Sequence, residues 1–133
     1  MIASGPLFDD IDGMASVINA PANLLPTIGT SDGTGRPHIE IGKGSFEYVV
    51  AERGNDVRRM TFLSKDDLLY QVFRDITFTI ACDEMKLLET DGRDLRRAIF
   101  GKQLDLLGRL SVKWRSTCEQ EVSDLLKAYP FRD

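Results

Sequence analysis

From His38 onward, the spacing of apolar side chains changes period between Leu63 and Ser64, and that change restricts the folds open to this chain. Before it, residues His38 to Ile41, Phe46 to Arg53 and Val57 to Leu63 alternate apolar and polar, the period of a half-buried strand. After it, apolar residues recur every three or four positions, as in a helix packed along one side. Strands followed by helices specify an α+β architecture rather than an alternating α/β one. Turn residues at Gly42 to Gly44 and Gly54 to Asp56 join the three runs into a three-stranded antiparallel meander. Its inner face is expected to carry Ile39, Ile41, Phe46, Tyr48, Val50, Met60 and Phe62. Glu40, Glu47, Arg59 and Thr61 then point outward and leave a polar face free.

Flanking segments read as helices and one loop. Leu7, Phe8, Ile11, Met14, Ala15, Val17 and Ile18 repeat at helical spacing between Pro6 and Pro21, with Asp9, Asp10 and Asp12 solvated near a helix N-terminus. Asn23 to Pro37 is loop. Its glycines do not make a phosphate loop, because Arg36 and Pro37 lead into a strand rather than Gly-Lys-Ser/Thr leading into a helix. Ser64 caps a helix whose stripe is Leu68, Leu69, Val72, Phe73, Ile76, Thr79, Ile80 and Leu87. Ile76 to Ile80 alternates and would suit a strand taken alone, but the 3.6-residue stripe passes through it without Gly or Pro, so helix is expected.

A turn at Thr90 to Gly92 precedes a helix from Asp94 to Trp114, with Leu95, Ile99, Phe100, Leu104, Leu106, Leu107, Leu110 and Trp114 on one arc. A last helix runs from about Thr117 to Ala128, closed by Tyr129 to Phe131. The chain is thus expected to be one domain, residues 1–133, in which the meander packs against a helical hairpin and terminal helices. In that hairpin, facing residue numbers sum to about 182.

Arg96 and Gln103 fall on the apolar arc, where an unpaired guanidinium or amide costs a few kcal/mol. The hairpin register offers Asp83 or Glu84 to Arg96, and Thr79 or backbone to Gln103. Asp83, Glu84, Asp94, Arg96, Arg97 and Gln103 are therefore read as a structural polar network. Gly101 and Gly108 lie on the far side, each costing about 1 kcal/mol relative to Ala, which close approach of another helix would explain.

Several function classes are disfavoured. A net charge of -4 opposes nonspecific binding to nucleic acid or anionic membrane and suits a basic partner. Arg53, Arg58 and Arg59 form a small basic patch with no aromatic platform. Cys82 and Cys118 make neither a disulfide framework nor a zinc pattern, and no cofactor motif is present. No signal peptide or apolar run of about 18 residues occurs, so a cytoplasmic protein is expected. His38 has Glu40 two residues on, but a hydrolytic site would also need a nucleophile or metal that no spacing supplies. Trp114 is read as a core anchor.

In order along the chain, Leu24 to Gly29, Pro37 to Glu40, Tyr48 to Gly54, Asp67 to Tyr70, Asp94 to Phe100 with Gln103, Trp114, and Tyr129 to Phe131 resemble the bacterial polymorphic-toxin immunity family called immunity protein 63. Residues Glu52, Arg53, Asp94, Arg96, Arg97 and Gln103 belong to that resemblance. It implies a small cytoplasmic α+β protein that binds and neutralises a cognate toxin domain without catalysis, and the chain itself is read as a monomer or homodimer. Combined with the charge, it points to a basic, nuclease-like toxin, with Glu40 and Glu47 on the open sheet face as contact residues. Two other classes remain open: a small enzyme using Asp83, Glu84, Arg93, Asp94 and Arg97, or a module that dimerises through the sheet face.

Overall fold

The computed structural model describes residues 5–29, 36–52 and 55–133. The glycine-rich stretch at 30–35 and the Arg53 and Gly54 positions lie outside the described residues. Among the described residues the chain is α+β, with four α-helices and a four-stranded mixed sheet. It groups into two compact units, one ending at Val72 and one beginning at Phe73.

The first unit opens with α1, Pro6–Val17, where proline in the first turn suits a position whose N–H has no intrahelical partner. Leu7, Ile11, Ala15 and Ile18 are buried along one stripe of this helix and its cap, as the spacing predicts. A single 3₁₀ turn, Ala22–Leu24, leads to β1, Thr27–Ile28. Then follow β2, His38–Ile41; β3, Phe46–Glu52; and β4, Asn55–Phe62. The sheet order is β1-β2-β3-β4.

The meander is present as β2, β3 and β4, but a fourth strand, β1, adds parallel to β2 inside the stretch expected to be loop. Its backbone is held by Thr27 N–H to the Pro37 carbonyl at 2.9 Å and Gly29 N–H to the Ile39 carbonyl at 2.7 Å. The Arg36 side chain secures the approach by donating to the carbonyls of Leu25 and Ala22. Two residues are too few to show an alternating pattern, which is why sequence spacing gives no sign of this strand.

Register places Ile39 opposite Tyr48 and Tyr48 opposite Met60, on the face expected to be inner, and Ile39 and Tyr48 are buried. Ile41, at the end of that row, is 57 % exposed. The opposite face is not wholly open, contrary to expectation. Thr27, His38 and Val49 form a cross-strand row there and all three are buried. Addition of β1 extends the row beyond the expected meander, and the polar side chains of this face gather at Arg59, opposite Val49, and along Glu40, Glu47 and Thr61.

Helix α2, Lys65–Met85, runs through the division between the units and includes residues 76–80. Ser64 Oγ accepts the Asp67 N–H at 3.1 Å and caps it. Two details of its stripe differ from the sequence reading. Thr77, not Thr79, is the buried threonine, and its Oγ1 donates back to the Phe73 carbonyl at 2.6 Å. Leu87 lies beyond the end of the helix and is 88 % exposed.

The main correction in the second unit concerns Asp94 to Trp114. It is not one helix but α3, Arg96–Leu110, and the start of α4, Val112–Ala128, which begins five residues before the expected Thr117. Ser111 adopts an extended conformation between them, and its Oγ accepts the Trp114 N–H at 3.2 Å. The break turns Trp114 against Phe73, ring centroids 6.1 Å apart and nearly parallel, and Trp114 is buried. Gln103 is buried and donates from Nε2 to the Arg74 carbonyl at 3.0 Å, while Lys102 meets Glu84 at 3.1 Å. These pairs sum to 177 and 186, bracketing the expected register of α2 against α3. Asp91 and Gly92, both at positive φ, make the turn between those helices, closed by Arg93 N–H to the Thr90 carbonyl at 2.9 Å.

The glycines of α3 differ from each other. A Cβ at Gly108 would lie 3.1 Å from the Arg115 side chain of α4, whereas at Gly101 it would meet nothing. Helix approach therefore does not explain Gly101, and Gly101→Ala is expected to stabilise the protein by about 1 kcal/mol in urea denaturation, with a smaller gain for Gly108→Ala. Ser111→Ala removes the cap of α4 and is expected to cost about 1 kcal/mol by the same measurement, with Ser111→Asp close to wild type.

Candidate functional site

Among the described residues, chemistry-bearing side chains gather in a charged cluster on the sheet, in a clamp around residues 129–133, and along a groove in the second unit.

On the sheet, Glu40 and Glu47 are directly opposite across β2 and β3, an arrangement in which like charges repel. Arg59 of β4 resolves it. Its Nη1 donates to Glu40 Oε1 at 3.1 Å and to Glu47 Oε2 at 2.8 Å, and Nη2 lies 3.3 Å from Glu40 Oε2. His38 Nε2 is 2.8 Å from the same Glu40 oxygen. Hydrogen bonds from Arg59, then from His38, hold the Glu40 carboxyl below the usual carboxylate range, so it is anionic at neutral pH. Both glutamates remain partly exposed. The buried His38 Nδ1 has no hydrogen-bond partner among the described residues. His38 and Glu40 therefore touch, as their spacing on one strand suggests, but the group beside them is a guanidinium rather than a nucleophile.

The six residues read as one polar network separate into distinct pairs. Arg96 does not reach Asp83 or Glu84, because Asp94, two residues before it, supplies a carboxylate without any helix crossing. Asp94 Oδ2 accepts Arg96 Nε at 3.1 Å and Nη2 at 2.8 Å, while Oδ1 accepts the Arg96 backbone N–H at 3.0 Å. Asp83 instead lies 4.0 Å from Lys86, and Glu84 pairs with Lys102. Arg96 is partly exposed rather than enclosed in the hairpin.

The clamp arises from residues that sequence spacing did not connect. Arg96 Nη1 and Nη2 donate to the Tyr129 and Pro130 carbonyls at 3.0 and 2.8 Å. The Arg132 N–H donates to Asp94 Oδ2 at 3.0 Å, and the Asp94 N–H donates to Asp133 Oδ1 at 2.9 Å. Arg97 forms a bidentate ion pair with Asp133. Phe131 lies beneath both guanidiniums, 5.5 Å from Arg96 and 4.1 Å from Arg97, with the Phe100 ring 6.4 Å away. These partners stand more than thirty residues apart and share no periodicity; the only local hint was the aromatic Tyr129-Pro130-Phe131 ending.

In the second unit, α2, α3 and α4 border a groove of about 730 Å³ whose apolar lining includes Phe78, Ile99, Phe100, Val122 and Leu125. Arg74 and Glu121 pair at its rim, 3.2 Å apart. A shallower depression of about 460 Å³ contains Arg93, Asp94 and Arg97. Asp94 is unsuited to proton transfer there, because its pKa is driven down, away from neutrality. Among the described residues no cluster of three or more His, Cys, Asp or Glu side chains is placed to hold a metal ion. Among them, too, no helix is long and apolar enough to cross a membrane.

The family model for immunity protein 63 matches residues 42–124, more than half of the chain. The chain belongs to the immunity protein 63 family. The match takes in β3, β4, α2, α3 and most of α4; the motif pieces at Leu24 to Gly29, Pro37 to Glu40 and Tyr129 to Phe131 lie outside it. Searches of curated proteins and of solved structures found no match. Of the family-like residues, Gln103 ties α3 to α2, whereas Asp94, Arg96 and Arg97 hold the end of the chain.

The clamp is acid-sensitive in a defined direction. Arg96 side-chain hydrogen bonds, then the Arg132 and Arg96 backbone N–H groups, lower the Asp94 pKa; Arg97, then the Asp94 N–H, lower that of Asp133. A depressed folded pKa stabilises fully above the ordinary carboxylate value of about 4 and less as pH falls towards the folded value. Urea midpoints of wild type and Asp94→Asn are therefore expected to differ by a constant amount from about pH 5 to 8 and to converge below about pH 4.

Proposed function

We propose that this member of the immunity protein 63 family binds a cognate toxin domain stoichiometrically in the cytoplasm and neutralises it without catalysis of its own. Family membership carries this reading. The polar clusters support it, because their carboxylates are engaged in ion pairs rather than poised as acids or bases.

Charge favours a basic toxin approaching the first unit. Residues 1–72 contain ten acidic and six basic side chains, whereas residues 73–133 contain eleven of each, so the whole net charge of -4 resides in the first part. Glu40 and Glu47 belong to it. Their pairing with Arg59 keeps both carboxylates in place and leaves the three-residue set with one net negative charge. A cationic side chain arriving from the toxin would share these oxygens with Arg59, adding steering more than affinity. Most of the affinity would come from an apolar or aromatic anchor in the interface.

The test is co-expression with the toxin encoded beside this chain, followed by measurement of complex formation and residual toxin activity. A one-to-one complex and restored growth are expected, and neither would appear if the proposal were wrong. Glu47→Gln is expected to slow association about two- to fivefold at 20 mM salt, with little effect at 500 mM, as screening of exposed charges requires.

A further inference from the structure

The contacts around residues 129–133 have the composition of a peptide-recognition site. Arg96 reads two consecutive backbone carbonyls, those of Tyr129 and Pro130. A pair of guanidiniums covers the Phe131 ring, Asp94 accepts the next N–H, from Arg132, and Arg97 grips the Asp133 carboxylate in bidentate fashion. Phe100 borders the aromatic position. Every receiving group lies within Asp94 to Phe100, and every group received lies within Tyr129 to Asp133.

Little burial accompanies this recognition. Tyr129, Pro130, Arg132 and Asp133 are exposed, and Phe131 is only partly covered. α4 has already ended at Ala128, and Tyr129 at its C-cap has left helical geometry. The segment is therefore retained by exposed ion pairs, cation–π contacts and hydrogen bonds, each weak singly and open to competition by an identical set.

We propose that Asp94 to Phe100 forms a binding site for an extended segment carrying an aromatic residue followed two positions later by a carboxylate, and that the chain's own residues 129–133 occupy it as a displaceable strap. A segment of that chemistry from another protein would take the same contacts once the strap leaves. This goes beyond the toxin-binding reading and does not depend on it, since the site lies wholly in the neutral second part of the chain.

A fluorescein-labelled peptide with the sequence of residues 127–133, Lys-Ala-Tyr-Pro-Phe-Arg-Asp, serves as probe. Phe131→Ala with Asp133→Asn in the full chain weakens the strap but keeps every receiving residue. Fluorescence anisotropy is expected to show saturable binding to this double variant at least tenfold tighter than to wild type. Adding Arg97→Ala should abolish it, as should replacing the peptide's Phe by Ala and its Asp by Asn. Equal binding to double variant and wild type, or no loss with Arg97→Ala, would overturn the proposal. Wild-type hydrogen exchange provides a test that needs no variant. The Arg132 amide should exchange at least a hundredfold faster than the Leu107 amide of α3, and equal protection would show that the strap does not open.

Discussion

Ser111 sets the geometry of the second unit. Leu110 ends one helix and Val112 begins the next, so a single extended residue must reverse the chain, and its hydroxyl accepts the Trp114 N–H, one of the orphan donors in the new helix's first turn. The two helices have fifteen and seventeen residues, about 22 and 25 Å of rise. Because they are nearly equal in length, the chain leaving α4 comes back to the start of α3. Trp114 reaches Phe73 on the first turn after the reversal, and Phe131 reaches Arg97 after the last. One residue's conformation thus decides both the aromatic packing of the unit and the contacts that close it.

Much of this was legible in the sequence. Alternation located β2, β3 and β4, and a continuous helical stripe correctly assigned residues 76–80 to α2 despite their strand-like composition. The Ser64 cap and the Asp91-Gly92 turn follow from side-chain chemistry acting over a few residues. What escaped was either too short or too distant. The helical stripe of Leu107, Leu110 and Trp114 passes over Ser111 without interruption, so periodicity cannot reveal the break. The arc of α3 implies that Arg96 needs a partner and points to one across the hairpin, whereas an adjacent aspartate and remote carbonyls supply it. Gln103 found backbone, one of its two readings, because a helix carbonyl can accept a second donor without disturbing its own ladder.

Pairing also governs how the surface can act. Glu40 and Glu47 would repel each other across the strands without Arg59, so the cation that moderates their charge also makes it tolerable to place them together. The second unit follows the same rule with different results: its charges cancel, and its accessible groove is mostly apolar. The described residues present ordered carboxylates in one part of the chain and an apolar groove with a paired charge at its rim in the other. The two parts thus offer attraction at different ranges, since charge acts across several ångströms of water and apolar contact only after water has left.

The sheet has one further property. β4 is its terminal strand among the described residues, and the consecutive arginines at 58 and 59 lie opposite Val50 and Val49 of β3, projecting to opposite sides. A second molecule laid antiparallel along that border and centred on these positions would bring arginine against arginine on both sides at once, which opposes pairing. The same Arg59 that bridges two glutamates within the sheet therefore also sits where a strand added in that register would meet it.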